Sequence, residues 1–239
     1  MTGPVRALAP DEHDAFRLAR LVAAEQMPYF MSALFAASPL ADPGLGTFAV
    51  DRFWRLYMDP ALLIGPGAWT VQTAGAVLLH ELGHLLRDHA GRATALPQPY
   101  RHLPWNLAGD AEINDDLVAA GIMLPQPITP AALGLHDGGL AEDYYTALVP
   151  PTGTGPLDLT DDDDGGGGCG SGAGCPAVPG ELTDPDHPTG AGISSAEGDF
   201  VRRRVAMDVT VQIAAKGRGT VPAGLARWAS RAAWSSYSS

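Results

Sequence analysis

The chain has 239 residues, 46% of them hydrophobic, and a mean hydropathy of +0.01, the make-up of a globular protein able to bury one sizeable core. Its net charge of −12 is uneven: residues 1–150 carry 8 Lys/Arg against 16 Asp/Glu, residues 151–199 none against 10, and residues 200–239 carry 7 against 1. So acidic a body repels phosphate backbones, which argues against nucleic acid as a partner, and no apolar run approaches the roughly 18 residues of a membrane span.

The N-terminus, MTGPVRALAPDEHD, lacks the charged-then-apolar layout of a signal peptide. Cys169 and Cys175 are too few for a secreted disulfide framework. The expected location is therefore cytoplasmic. Residues 10–25 carry apolar side chains at helical spacing behind Pro10-Asp11-Glu12, and YFMSALFAA predicts a second helix ending at Ser38-Pro39. The short runs at 47–51 and 55–59 read as a pair of strands or one bent hairpin. Thr70 is placed to cap a helix running to about Ala90, with Gly91 as its stop, and another helix opens near Pro104 and closes at Gly121.

GLAEDYYTALV predicts a short closing helix. From Pro150 the composition changes to Gly, Pro and Asp with almost nothing to bury, which reads as a mobile linker or long loop. Helical periodicity returns over 195–216, and GTVPAGLARWAS reads as a turn leading into a short helix. The division expected is a catalytic unit over 1–150, an acidic loop over 151–194, and a helical segment over 195–239 that packs on the main unit. The Asp161–Asp164 run lacks the spacing of a calcium loop and reads as solvation, and Arg202, Arg203 and Arg204 read as partners for the acidic body.

His80-Glu81-Leu82-Gly83-His84 is the stretch with chemistry in it. On a helix, His80 and His84 lie about 40° apart on adjacent turns, so their rings can converge on one ion, with Glu81 beside them. Leu78, Leu82 and Leu85 occupy the opposite side, which predicts a buried helix whose imidazoles face a cleft. A catalytic zinc takes three protein ligands and leaves a position for water. Asp110 is the candidate third ligand, because it shares the apolar face of the next helix with Leu103, Ile113 and Leu117, while Glu112, Asp115 and Asp116 point elsewhere as solvated acids would. Asn106 and Asn114, one turn to either side, could orient the ligands by hydrogen bonds. His89 is about 140° or more from the pair and cannot join it without a break in the helix; His102 is the other histidine in reach. Cys169 or Cys175 could reach the zinc's open position, but their spacing matches no common zinc motif and two thiols in a loop is the plainer reading.

LLHELGHLLRDHAGR followed by WNLAGDAEIND resembles a bacterial metallopeptidase family whose members carry a zincin-like N-terminal domain and a C-terminal domain similar to von Willebrand factor A. The first motif is similar through His80, Glu81, His84, His89 and Arg92, the second through Trp105, Asn106, Ala108, Asp110, Ile113 and Asn114, and TFAVD, LYMDP, AEDYY and GTVPAGLARWA look like further landmarks. The likeness spans roughly residues 10–232. It implies zinc held by His80, His84 and Asp110, with Glu81 as general base. In that family the second domain would begin where GTVPAGLARWASRAA ends, whereas this chain stops at WSSYSS, as expected of a stand-alone, shortened or engineered form.

The fold expected is therefore α+β and mostly helical: a zincin-like domain with a small sheet or hairpin and a His-Glu-x-x-His helix. The function expected is Glu81-assisted hydrolysis of a peptide or protein substrate by a zinc-bound water. Two imidazoles and a carboxylate also serve non-haem iron, but the His-Glu-x-x-His helix favours zinc. The alternative is a metal-stabilised interaction module, weak in catalysis, that works with a protein partner.

Overall fold

A computed structural model of the chain describes residues 3–150 and 168–234. The Asp161–Asp164 run lies outside these. The structure is mostly helical with one small sheet, as the patterning predicts. Helix α1 (Pro10–Gln26) begins at a proline, which needs no amide donor there, and Glu12 folds back onto the Ala9 amide at 2.7 Å. A turn over 28–30 leads into α2 (Met31–Ala36). Strands β1 (Ser38–Ala41), β2 (Phe48–Val50) and β3 (Arg55–Met58) follow, in the order β1-β3-β2, with β1 parallel and β2 antiparallel to β3. The β2–β3 hairpin is the pair expected. β1 escapes sequence analysis because a four-residue strand containing Pro39 shows no alternation, and its partner lies elsewhere in the chain.

Thr70 Oγ1 accepts from the Thr73 amide at 3.0 Å and starts α3 (Val71–Leu86). The expected helix to Ala90 is interrupted: Asp88 takes a left-handed conformation (φ 53°), and a new short helix, α4 (His89–Thr94), leaves in another direction. Helix α5 (His102–Ala119) packs against α3 and ends before Gly121, whose φ of +78° favours glycine. Helices α6 (Ala141–Leu148), α7 (Ser195–Lys216) and α8 (Ala223–Trp234) complete the chain, α7 starting in a capping box of Ser194 and Glu197.

One apolar core joins α1, α2, the sheet, α3 and one side of α5 to Val201, Val205, Val209 of α7 and Leu225, Ala229 of α8. A second cluster joins Ala93, Trp105, Ala108 and Ala111 to Ala141, Tyr144 and Leu148. The α3–α5 contact is the one that positions the site, and glycines give it room: Gly83 of α3 faces Ile113 of α5, and Gly109 of α5 faces His89 of α4. A Cβ on Gly83 would stand 2.9 Å from Ile113 Cγ2, and one on Gly109 would stand 2.8 Å from His89 Nδ1. Alanine would favour helix at either position by about 1 kcal/mol, yet forcing a methyl into a packed core costs about 1–3 kcal/mol. We expect Gly83→Ala and Gly109→Ala each to lose about 1 kcal/mol of stability in urea unfolding as these terms offset. A rise in the unfolding midpoint for both would mean that the helices are not in close contact.

Candidate metal centre

Residues Ala74–Leu86 of α3 are all buried, His80, Glu81 and His84 among them. The leucines at 78, 79, 82, 85 and 86 fill the core side, so the helix can turn its histidines only toward α5. There His80 Nε2 and His84 Nε2 stand 3.3 Å apart, and Asp110 Oδ1 lies 3.5 Å from the first and 3.2 Å from the second. A fourth atom joins them. Cys169 Sγ is 3.5 Å from His80 Nε2 and 3.7 Å from Asp110 Oδ1, and the ligand atoms of all four residues lie within 4.8 Å of one another.

These spacings are those of a coordination shell. Zinc–nitrogen and zinc–oxygen bonds of about 2.0–2.1 Å at tetrahedral angles separate neighbouring ligands by about 3.3 Å, and a zinc–sulfur bond of about 2.3 Å raises the separation from sulfur to about 3.6 Å.

The protons are arranged to match. Asn114 donates from Nδ2 to the Ile128 carbonyl at 2.9 Å, so its Oδ1, 2.8 Å from His80 Nδ1, must accept; the His80 proton sits on Nδ1 and Nε2 carries the lone pair. His84 Nδ1 is 2.9 Å from His89 Nδ1, and His89 Nε2 is 3.4 Å from Glu112 Oε2. Glu112, as a carboxylate, accepts from His89, which leaves His89 Nδ1 to accept from His84 and leaves His84 Nε2 bare. Asn106 donates to the other oxygen of Asp110 at 3.4 Å. Bare lone pairs therefore converge on one point in a largely buried site, an arrangement that requires a cation or borrowed protons.

Without a metal, protons take that role. Burial opposes charge on His80, but the Asp110 carboxylate pushes its pKa up to about 9. Burial, together with the charge of His80, holds His84 down to about 3. Asp110 resists burial through its two histidines and stays well below the usual carboxylate range. Burial pushes Glu81 up to about 8, and its Oε2 is shut in with no hydrogen-bond partner. A dication at the centre would reverse this order, favouring ionised carboxylates and bare imidazoles. The donor set and the orphaned Glu81 oxygen both fit zinc.

The structure thus brings together His80, His84 and Asp110, the three ligands expected, with Asn106 and Asn114 as expected partners. Three expectations need correction. His89 does reach the site, because the helix breaks at Asp88 and restarts with the His89 ring against His84. Glu112 and Asp116 are not solvated: they are 8% and 5% exposed, and both bind Arg87, at 3.3 and 2.6 Å. Glu112 also takes Arg92 at 2.9 Å and the Ala141 amide at 2.8 Å. Finally, the imidazoles do not face a cleft, since the segment 168–175 covers them and Cys169 is a buried neighbour rather than a thiol in an open loop. No spacing rule could have found Cys169. It lies 59 residues beyond Asp110 in the chain.

His102 stands apart from the cluster, its ring packed 4.7 Å from that of Tyr100. Of the tyrosines that could serve an oxyanion, Tyr100 donates to the Gly174 carbonyl at 2.6 Å, Tyr144 to the His136 carbonyl at 3.0 Å, and the Tyr145 hydroxyl accepts from the Arg101 amide. Arg202 does meet the acidic body, at Asp88.

Replacing a ligand and replacing its support should differ in kind. We expect His84→Ala and Asp110→Ala to abolish stoichiometric metal in elemental analysis, whereas Asn114→Ala retains it with affinity weakened about 10–100-fold. Equal metal content and affinity in all three would contradict the assignment.

Comparison with known proteins agrees with this chemistry. The family described as "Putative metallopeptidase domain" matches residues 12–234, nearly the whole chain. No curated protein and no solved structure matches it. The His-Glu-x-x-His helix and the aspartate opposite it both fall within the matched span, and the chain belongs to this metallopeptidase-domain family.

Proposed function

We propose that the protein is a zinc-dependent peptidase in which His80, His84 and Asp110 hold the metal and Glu81 is the general base. The observation that carries this reading is the convergence of three bare ligand atoms beside a buried carboxylate with an unpartnered oxygen. Zinc, when bound, supplies a Lewis acid for a substrate carbonyl and brings the pKa of a water to about 7. Glu81 takes the proton from the attacking water and returns it to the leaving amine. Burial opposes the ionised form of Glu81, and a dication beside it would restore that form, as a base requires. Asn114 fixes the His80 ring, and the Glu112–His89 pair fixes that of His84, so the bare nitrogens stay aimed at one point.

The substrate class is a peptide or protein. The described residues contain no helix long and apolar enough to cross a membrane, and the cysteine usage favours the cytoplasm. We read 1–150 as the catalytic unit. Residues 195–232 support it: α7 contributes to the core beneath α3, and the Gly224 amide of α8 donates to Asp116 at 2.9 Å.

A second reading draws on one observation, the fourth donor at Cys169. Four protein ligands and no open position describe a structural zinc, which would make the protein a metal-stabilised module acting through a partner. Glu81 separates the two readings, because a purely structural site has no use for a base. Glu81→Gln is expected to keep stoichiometric zinc and lower peptide hydrolysis about 100–10,000-fold. Unchanged turnover, measured with a fluorogenic peptide library, would eliminate Glu81 as the base.

A further inference from the structure

We propose that Cys169 is a displaceable fourth ligand, so that the segment 168–175 is a built-in plug that holds the metal centre latent until it is withdrawn. This rests on the peptidase reading above and concerns how that site is regulated.

The first ground is geometry. Sγ completes the shell at 3.5 Å from His80 Nε2 and 3.7 Å from Asp110 Oδ1, where thiolate sulfur should stand beside a nitrogen and an oxygen of the same tetrahedron. The second is charge. Two neutral imidazoles, one carboxylate and one thiolate cancel a dication, whereas the same shell with water in place of sulfur keeps one positive charge to polarise that water and a carbonyl. The thiolate form is inert on both counts, being coordinatively full and neutral.

The third ground is how the segment is held. It fits closely: a Cβ on Gly170, where φ is +82°, would stand 2.5 Å from the Val50 carbonyl oxygen, and one on Gly174 would stand 2.6 Å from Trp105 Nε1. Its attachments are hydrogen bonds, from the Val50 amide to the Cys169 carbonyl (2.9 Å), Trp105 Nε1 to the Ala173 carbonyl (3.0 Å), Tyr100 to the Gly174 carbonyl (2.6 Å), Cys175 Sγ to Asn106 Oδ1 (3.1 Å), and the Ser171 amide and hydroxyl to Glu181. The sequence Gly-Cys-Gly-Ser-Gly-Ala-Gly-Cys brings no large apolar side chain. Such a segment brings little apolar area of its own, resting on Leu85, Ala93 and Trp105 mainly through bare backbone, and its departure frees the Tyr100 hydroxyl. Behind it the chain is anchored independently, by Arg55 of β3, which is fully buried and donates to the carbonyls of Leu182 (3.0 Å), Asp184 and Gly190 (2.8 Å). Opening therefore breaks the bonds of residues 169–175, Ser171 to Glu181 included, while Arg55 keeps the chain from Leu182 onward in place. On opening, the metal–sulfur bond breaks with its electron pair on sulfur, the thiolate takes a proton from solvent, and one position passes to water.

The test uses the full chain loaded with cobalt(II). Wild type should show a near-ultraviolet thiolate-to-cobalt charge-transfer band that Cys169→Ser lacks while retaining the metal. Iodoacetamide labelling, read by peptide mapping to separate Cys169 from Cys175, should modify Cys169 at least about tenfold faster after chelation. With zinc, Cys169→Ser should hydrolyse peptides at least about tenfold faster than wild type, and adding Glu81→Gln should remove that gain. Stoichiometric cobalt without the band, or labelling indifferent to metal, would overturn the ligand and leave the peptidase reading intact. The band together with no gain in hydrolysis, either in Cys169→Ser or in wild type alkylated at Cys169, would make the sulfur a permanent ligand and overturn the plug. Hydrolysis that survives Glu81→Gln in the Cys169→Ser background would defeat the peptidase reading separately. Should Cys169→Ser fail to fold, the labelling and the alkylated wild type decide alone.

Discussion

The close approach of α3 and α5 is the constraint on which the rest depends. It places two imidazole nitrogens and a carboxylate oxygen within 3.2–3.5 Å of one another in a largely buried site. Lone pairs so confined repel, and burying unpaired polar groups costs several kcal/mol each. A cation relieves all of them at once. A metal bound here would therefore stabilise the folded state, since its ligands come from separate segments. Small residues are the local condition for that approach: Gly83 of α3 faces Ile113, and Gly109 of α5 leaves room for the α4 ring of His89.

Around this centre stands a buried ionic network that gives the ligands their orientation. Arg87 and Arg92 hold Glu112 between them, Arg87 reaches on to Asp116, and Arg92 to Glu142. Buried ion pairs contribute little net stability when every charge must be desolvated. Their value lies in direction: Glu112, kept ionised by His89 and the two arginines against the effect of burial, holds His89, and His89 holds His84. The same acids tie α4, α5, α6 and α8 together through the amides of Ala141 and Gly224. The left-handed Asp88 is what lets one short stretch supply both a ligand helix and the support for its second histidine.

The small sheet serves the site from the other side. Val50, on the edge strand β2, binds the Cys169 carbonyl, while Arg55 and Tyr57 of β3, held by Asp51 of the preceding turn, grip residues 182–190. A three-stranded sheet is thus the frame on which the thiol-bearing segment rests. That arrangement explains why Arg55, a cation, is fully buried: its donors satisfy main-chain carbonyls of the returning chain as well as Asp51.

By itself the sequence determined what local periodicity and local chemistry can carry. The helix over 195–216, the Thr70 start of the ligand helix, the shared face of His80 and His84, and the inward aspartate at 110 were all legible, because each depends on residues within a turn or two of one another. Tertiary structure alone decided the rest. A helix break at Asp88 turned His89 from an outlier into a partner of His84, and arginines from a neighbouring turn made buried anchors of Glu112 and Asp116. A glycine-rich stretch that reads as a linker carried Cys169 onto the metal ligands, since the fit of bare backbone into a groove leaves no hydrophobic pattern behind. Contacts of that kind arise between segments far apart in the chain, and only the packed fold brings them into register.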